Sequence, residues 1–484
     1  MAMDIDKLIN DPALLTPIAE LRARIQQPEH AISDTLDPDG NQYVDLVMEG
    51  GGMLGVALVG YSWALEEMGI RFLGIGGTSA GSINALLLAA MDDPANKKSP
   101  LLLQAMGDLD FYRFVDGDGS EKGRDKTRAL IECALDGRSI GFKKAVKLMW
   151  NYWGLRKQLA NHYGLNTGNE FTSWLTGLLH SAGIDSTAAL NARMNRIPPL
   201  SLRPGTESRP HWKPEPGRLV VIASDITTET RVEFPDMAEL YWAEPDAVNP
   251  ANYARASMSI PYFFETFRVK PLPDNARARA RWARVGVNLA TENDDQVPHH
   301  ILFVDGGITS NFPIDAFHDT TQVPSCPTFG VKLQYDDRYK RPAKLPLHGD
   351  GSRRPLMSLT GAMFNSARHT LDYEFIKKNP DYQHLVQFIP CTYQAQETDP
   401  ATGKTNTVTR GYNWLDFNMP MAQREGLFRQ GAQMAIEFID RFSSAVDTEA
   451  TDGKPAAHYS SRWAYYKALR QSMLTPAKVA KPVQ

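Results

Sequence analysis

The chain has 484 residues, 42% hydrophobic and 22% charged, with a formal net charge of −4 and 3 cysteines. At roughly 100 to 200 residues per domain this length is ample for a large core, so a small scaffold held by disulfide staples is excluded. Cys133, Cys326 and Cys391 lie far apart with no CxxC pair, which permits at most one disulfide, disfavours a zinc site and suits a reducing compartment.

The start, Met1 to Lys7, lacks the basic and apolar regions of a signal peptide, and no run of 18 apolar residues follows anywhere. A cytoplasmic protein is expected, with export by a route that needs no signal peptide left open. Residues 11–27 carry a helical apolar period and Ser33 to Asn41 read as a polar turn, so 1–42 is expected to be a helical extension and linker. Tyr43–Met48 is β-prone and ends at three glycines, Leu54–Met68 is helical, Phe72–Ile75 is a second short apolar run, and Ser79–Met91 is helical again. Strand, glycine turn and helix, repeated, predict an α/β fold with a mostly parallel sheet. Further strands are expected at 218–224, 301–304 and 328–334, with helices at 125–135, 140–153 and 168–180. The catalytic domain is expected over 43–335, with insertions near 92–215 and 266–298. A mostly helical region over 336–484, with helices near 356–377, 419–443 and 459–472, should pack on it.

Ten of the 36 glycines fall between Gly50 and Gly81. The second of the two turns they build, Gly76-Gly77-Thr78-Ser79-Ala80-Gly81, contains GxSxG between a strand and a helix. That is the setting of a nucleophile elbow, which needs small neighbours and presents Ser79 at a helix N-terminus. The plain alternative is a serine capping the next helix. The first turn, Gly50-Gly51-Gly52-Met53-Leu54-Gly55, offers successive unobstructed N–H groups suited to an anion or oxyanion. It also satisfies GxGxxG, but the acidic residue that a dinucleotide site needs about 20 positions on is missing, and no Gly-Lys-Ser or Gly-Lys-Thr follows. A serine nucleophile needs a base. His318, His348, His369, His384 and His458 are available downstream in no distinctive context, whereas Asp305 closes an apolar strand and precedes Gly306-Gly307. An aspartate at the carboxyl end of a sheet strand lies where α/β sites form.

Together these segments resemble the patatin-like phospholipase family. The resemblance rests on Gly50-Gly51-Gly52-x-x-Gly55, on Gly77-Thr78-Ser79-Ala80-Gly81, on Ala256-Ser257-x-Ser259-Ile260-Pro261, and on Asp305-Gly306-Gly307 with Asn311 and Pro313, and it runs from about 43 to 335. It implies a three-layer α/β fold and hydrolysis of acyl esters of membrane lipids by a Ser79–Asp305 dyad. Gly50, Gly51 and Gly52 would form the oxyanion hole. Phospholipid or another acyl-ester lipid is then the substrate, met at a membrane surface, with no cofactor, metal or nucleic acid. Two alternatives stand beside it: a Ser-His-Asp esterase, and a degenerate protein that only binds lipid surfaces. One departure is Leu54, which stands where the family usually carries Arg or Lys: either the hole is weaker for it, or a basic residue from elsewhere supplies the charge.

Two basic stretches bear on the membrane. Residues 137–157 carry six Lys or Arg and no acid, with Phe142, Val146, Met149, Trp150 and Trp153 on one helical stripe. Arg268–Arg284 is also basic, includes Trp282 and is expected to be an inserted loop. Asp116-Gly-Asp-Gly-Ser-Glu121 resembles a calcium loop but lacks the required glycine and terminal glutamate.

Overall fold

The computed structural model describes residues 3–107, 109–135, 159–204, 206, 212–273, 276–287, 300–333, 372, 374–398, 404–449 and 456–474. The basic segment 137–157, His348, His369 and most of the helix expected at 356–377 lie outside them.

Gln42–Met48 (β1) and Ile70–Thr78 (β2) are buried along nearly their whole length, as parallel strands covered on both faces must be. Asp45 interrupts the first run. Its carboxylate accepts the Gly74 amide at 2.8 Å, and the register between β1 and β2 shifts beside it. The remaining strands of the main path are Arg218–Asp225 (β3), Phe267–Val269 (β4), Ile301–Asp305 (β5), Thr328–Leu333 (β6) and Val386–Ile389 (β7). Their order is β7-β6-β1-β2-β3-β5-β4. The pairs from β7 to β3 are parallel, and β5 and β4 join antiparallel. The fold is α/β, a mostly parallel sheet flanked by helices.

Gly55–Glu67 (α1) links β1 to β2, and Ala80–Ala90 (α2) links β2 toward β3. Twelve of the 13 α1 residues are buried, which marks an internal helix. Asn169–Ser181 (α3) and Ala251–Ser257 (α4) come before and after β3, and Met421–Phe442 (α5) packs across α1. That crossing is tight because it is made through glycine. A Cβ at Gly60 would overlap the Phe428 carbonyl, and one at Gly431 would overlap that of Ala57. No helix among the described residues is long and apolar enough to cross a membrane.

Two regions differ from expectation. Arg268–Arg284 is not a loop: it supplies edge strand β4 and the helix Ala276–Arg284, with Trp282 fully buried against Tyr241. A basic composition hides this because only Ala278 and Trp282 face inward. In the region after 335 the described residues include strands beside helices. They contribute β7 to the central sheet and a hairpin, Thr392–Thr398 with Thr405–Gly411.

Replacing Gly431 by alanine should force the α1–α5 backbones apart and cost about 2 kcal/mol or more. A lowered melting midpoint is the expected result, and an unchanged one would mean the helices are not in backbone contact.

Candidate active site

Ser79 leaves β2 with φ 51° and ψ −120°, a backbone state that costs a residue with a side chain about 1–3 kcal/mol. Its side chain caps nothing, so the simple capping role fails. The turn closes because its neighbours have no side chains. A Cβ at Gly81 would overlap the Met48 carbonyl at the end of β1, and one at Gly77 would overlap Gly81 itself. The Ser79 amide donates to Ser257 Oγ at 2.8 Å. Two residues on, the Ser259 carbonyl accepts the Asp305 amide at 2.8 Å. One short segment after α4 therefore holds the backbones of both candidate residues.

Register completes the arrangement. Thr78 pairs with Ile222 on one side of β3, and Asp305 pairs with Ala223 on the other, so Ser79 and Asp305 flank the same point of β3. Because β5 runs antiparallel, strand direction alone does not put Asp305 at the carboxyl end of the parallel strands, yet it lies level with Thr78, where β2 ends. Its place beside Ser79 comes from register and from a folded-back loop. A Cβ at Gly306 would overlap the Ile222 carbonyl, and Thr78 Oγ1 donates to the Ser310 carbonyl at 2.9 Å. Asp305 Oδ1 accepts the Gly307 amide at 2.8 Å.

The glycine turn after β1 differs from expectation at one position. The Gly50 amide donates to the Asn311 carbonyl at 3.1 Å, and Asn311 Nδ2 donates back to the Gly50 carbonyl, also at 3.1 Å. The Gly50 amide is thus engaged within the loop. The amides of Gly51 and Gly52, and that of Ala80 at the start of α2, donate to no acceptor among the described residues. Gly52 takes φ 54° and lies so close to the Trp414 carbonyl that a Cβ would overlap it. Leu54 is fully buried. The basic residue behind the loop is Lys332, whose Nζ lies 3.1 Å from Glu49 Oε1. Glu49 also accepts Asn311 Nδ2 and the Leu333 amide, at 3.1 and 2.7 Å.

Asp372, unmarked in the sequence, secures the loop after Asp305. It accepts Ser310 Oγ at 2.7 Å and the amides of Asn311 and Phe312 at 3.1 and 2.9 Å. Burial pushes its pKa from 3.8 to about 6, with Glu49 raising it and Lys332 opposing.

Ser79 opens on a cavity whose walls include Val56, Met106, Phe114, Phe171, Trp174 and Phe264. Among the described residues, Ser79 and Asn84 bring small polar side chains to it. Such a lining suits an apolar ligand fragment. The three described members of the five candidate histidines are engaged elsewhere. His318 meets Tyr382 Oη at 2.9 Å and Arg470 at 3.2 Å, His384 meets Arg462, and His458 meets Asp447. None of the three lines the cavity. The Asp116 segment caps α3, accepting Thr167 Oγ1 at 2.7 Å and the Glu170 amide at 3.3 Å.

A family model described as patatin-like phospholipase matches residues 46–318. The chain belongs to the patatin-like phospholipase family. It is a lipid hydrolase in general character. This patatin-like chain is 29% identical over 350 residues to the uncharacterized protein YqhO of Bacillus subtilis (strain 168), covering 72% of this chain and 87% of that one. Among solved structures it is similar to the crystal structure of VipD from Legionella pneumophila, with a TM-score of 0.33 and 14% identity over 84% of this chain and 70% of that one. That likeness is too distant to compare sites.

The raised pKa of Asp372 has a definite sign. The folded state binds the proton more tightly than the unfolded chain, so this group's contribution to stability falls as pH rises from about 4 to 6. Asp372→Asn should remove that slope. In melting curves across this range the midpoint of the variant should gain on the wild type as pH rises. Parallel curves would contradict a buried, raised carboxyl.

Proposed function

We propose that the protein cleaves fatty acyl esters of membrane glycerolipids, as a phospholipase A type enzyme, with Ser79 as nucleophile and Asp305 as base. The observation that carries this is the strained elbow of Ser79 opening on an apolar cavity while Asp305 flanks the same point of β3. An acyl chain in that cavity places its ester carbonyl at the glycine loop.

Asp305 takes the Ser79 hydroxyl proton as Oγ attacks the carbonyl carbon. The carbonyl π electrons move to oxygen, and the amides of Gly51, Gly52 and Ala80 receive the oxyanion. One such donor is worth on the order of 3 kcal/mol in reactions of this class. Collapse breaks the ester C–O bond, and Asp305 returns the proton to the leaving alcohol. Water, deprotonated by the same carboxylate, then attacks the acyl-serine; collapse breaks the acyl–Oγ bond, Asp305 returns the proton to Ser79 Oγ, and the fatty acid is released. No histidine takes part. The cycle needs no cofactor.

Fatty-acid release from phospholipid vesicles tests this. Ser79→Ala and Asp305→Asn should each lower the rate about 1,000-fold or more, while His318→Ala, His384→Ala and His458→Ala leave it within about threefold, as residues remote from the chemistry should. Equal rates for wild type and Ser79→Ala would overturn the assignment. A histidine variant as inactive as Asp305→Asn would replace the dyad by a triad.

A further inference from the structure

Among the described residues, Tyr163 and Tyr262 are the most exposed of the large hydrophobic side chains, at 50% and 57%. Both hold a positive φ, 61° and 67°, where a bulky residue is strained and a functional reason is worth seeking. They are neighbours. The Tyr262 amide donates to the Tyr163 carbonyl at 3.2 Å, and the short strands Gly164–Asn166 and Tyr262–Phe264 pair in parallel. Asn166 pins both sides, donating from Nδ2 to the Phe263 carbonyl at 2.8 Å and accepting the Glu265 amide at 2.7 Å. The backbone is fixed, so the exposure of the two rings is built in.

The pair borders the cavity. Tyr262 lies between Ile260 and Phe264, which both line it, and Phe263 stacks on Phe417, another wall residue, at 4.9 Å. The exposed charge of the adjoining segment is positive. Arg268 and Lys270 are exposed, and Arg268 Nη2 reaches the Asn161 carbonyl at 2.9 Å. The single acid in residues 159–166 and 262–270, Glu265, faces His162 at 3.7 Å.

We propose that Tyr163 and Tyr262, flanked by Arg268 and Lys270, form a lip that seats on an anionic lipid bilayer and brings the cavity mouth to its substrate. Tyrosine suits this position because its ring is apolar and its hydroxyl stays in water, which favours the bilayer interface. The two cations match the negative potential of such a surface. The inference rests on reading the Ser79 cavity as the lipid site.

The test is co-sedimentation with vesicles of phosphatidylcholine and phosphatidylglycerol, run beside hydrolysis of a water-soluble p-nitrophenyl ester. Glycine adopts positive φ without strain, so Tyr163→Gly with Tyr262→Gly removes the rings and spares the backbone. The double variant should lose vesicle binding about tenfold or more, since interfacial affinity scales with buried apolar area, and keep its ester hydrolysis. Lys270→Glu should weaken binding to the mixed vesicles and not to pure phosphatidylcholine. Met473→Ser, exposed on the C-terminal helix, should change neither. Unaltered sedimentation of the double variant would overturn the lip, as would an equal loss in Met473→Ser. Sedimentation needs no turnover, so a wild type that binds through the tyrosines yet cleaves no ester would refute the hydrolase reading alone.

Discussion

The arrangement depends on keeping Ser79 at φ 51° and ψ −120°. Such a conformation persists only where its surroundings over-determine it, and here three separate contacts do so. Gly81 lets the first turn of α2 close against the Met48 carbonyl, Ser257 Oγ holds the Ser79 amide, and Thr78 is tied to the Ser310 carbonyl. Each comes from a different part of the chain. The cost of the strained residue is met by packing and hydrogen bonds that also align the ends of β1, β2 and β5.

The loops around that point are fixed by buried charge. Glu49 accepts from Lys332, Asn311 and the Leu333 amide, and Asp372 accepts from Ser310, Asn311 and Phe312. Asn311 is common to both sets and ties the glycine loop to the loop that follows Asp305. Buried carboxylates are tolerated only when fully paired, so removing one partner should disturb both loops together. Lys332 also explains how Leu54 can be accommodated. The positive charge missing from the glycine loop is present one layer behind it, bound to the residue that precedes Gly50. That charge is paired with Glu49, whose carboxylate also accepts Asn311 Nδ2 and the Leu333 amide.

Much of this is legible in the sequence because it is local. Ser79, Gly50–Gly52 and Asp305 each sit where an apolar run stops abruptly at glycines, and the parallel sheet follows from the repeated strand, glycine turn and helix. The strands at 218–225, 301–305 and 328–333 are plain for the same reason. What escapes is set by pairing between distant segments. The antiparallel direction of β5, the capture of the Gly50 amide by Asn311 and the clasp of Asp372 need registers that no local pattern encodes. Ser257 stood in a recognisable motif, yet only the fold shows that its hydroxyl meets the elbow. The basic stretch at 268–284 hides its packing signal because only Val269, Ala278 and Trp282 of its described residues are buried among its charges.

The central claim is that Ser79 is a nucleophile activated by Asp305 and received by the glycine loop. Covalent labelling by a fluorophosphonate, mapped by peptide mass spectrometry, reads this most directly because it requires both an activated hydroxyl and an oxyanion site but no particular lipid. The account predicts a single adduct on Ser79, formed rapidly in the wild type and lost in Asp305→Asn. An adduct on another residue, no adduct at all, or undiminished labelling of Asp305→Asn would contradict it.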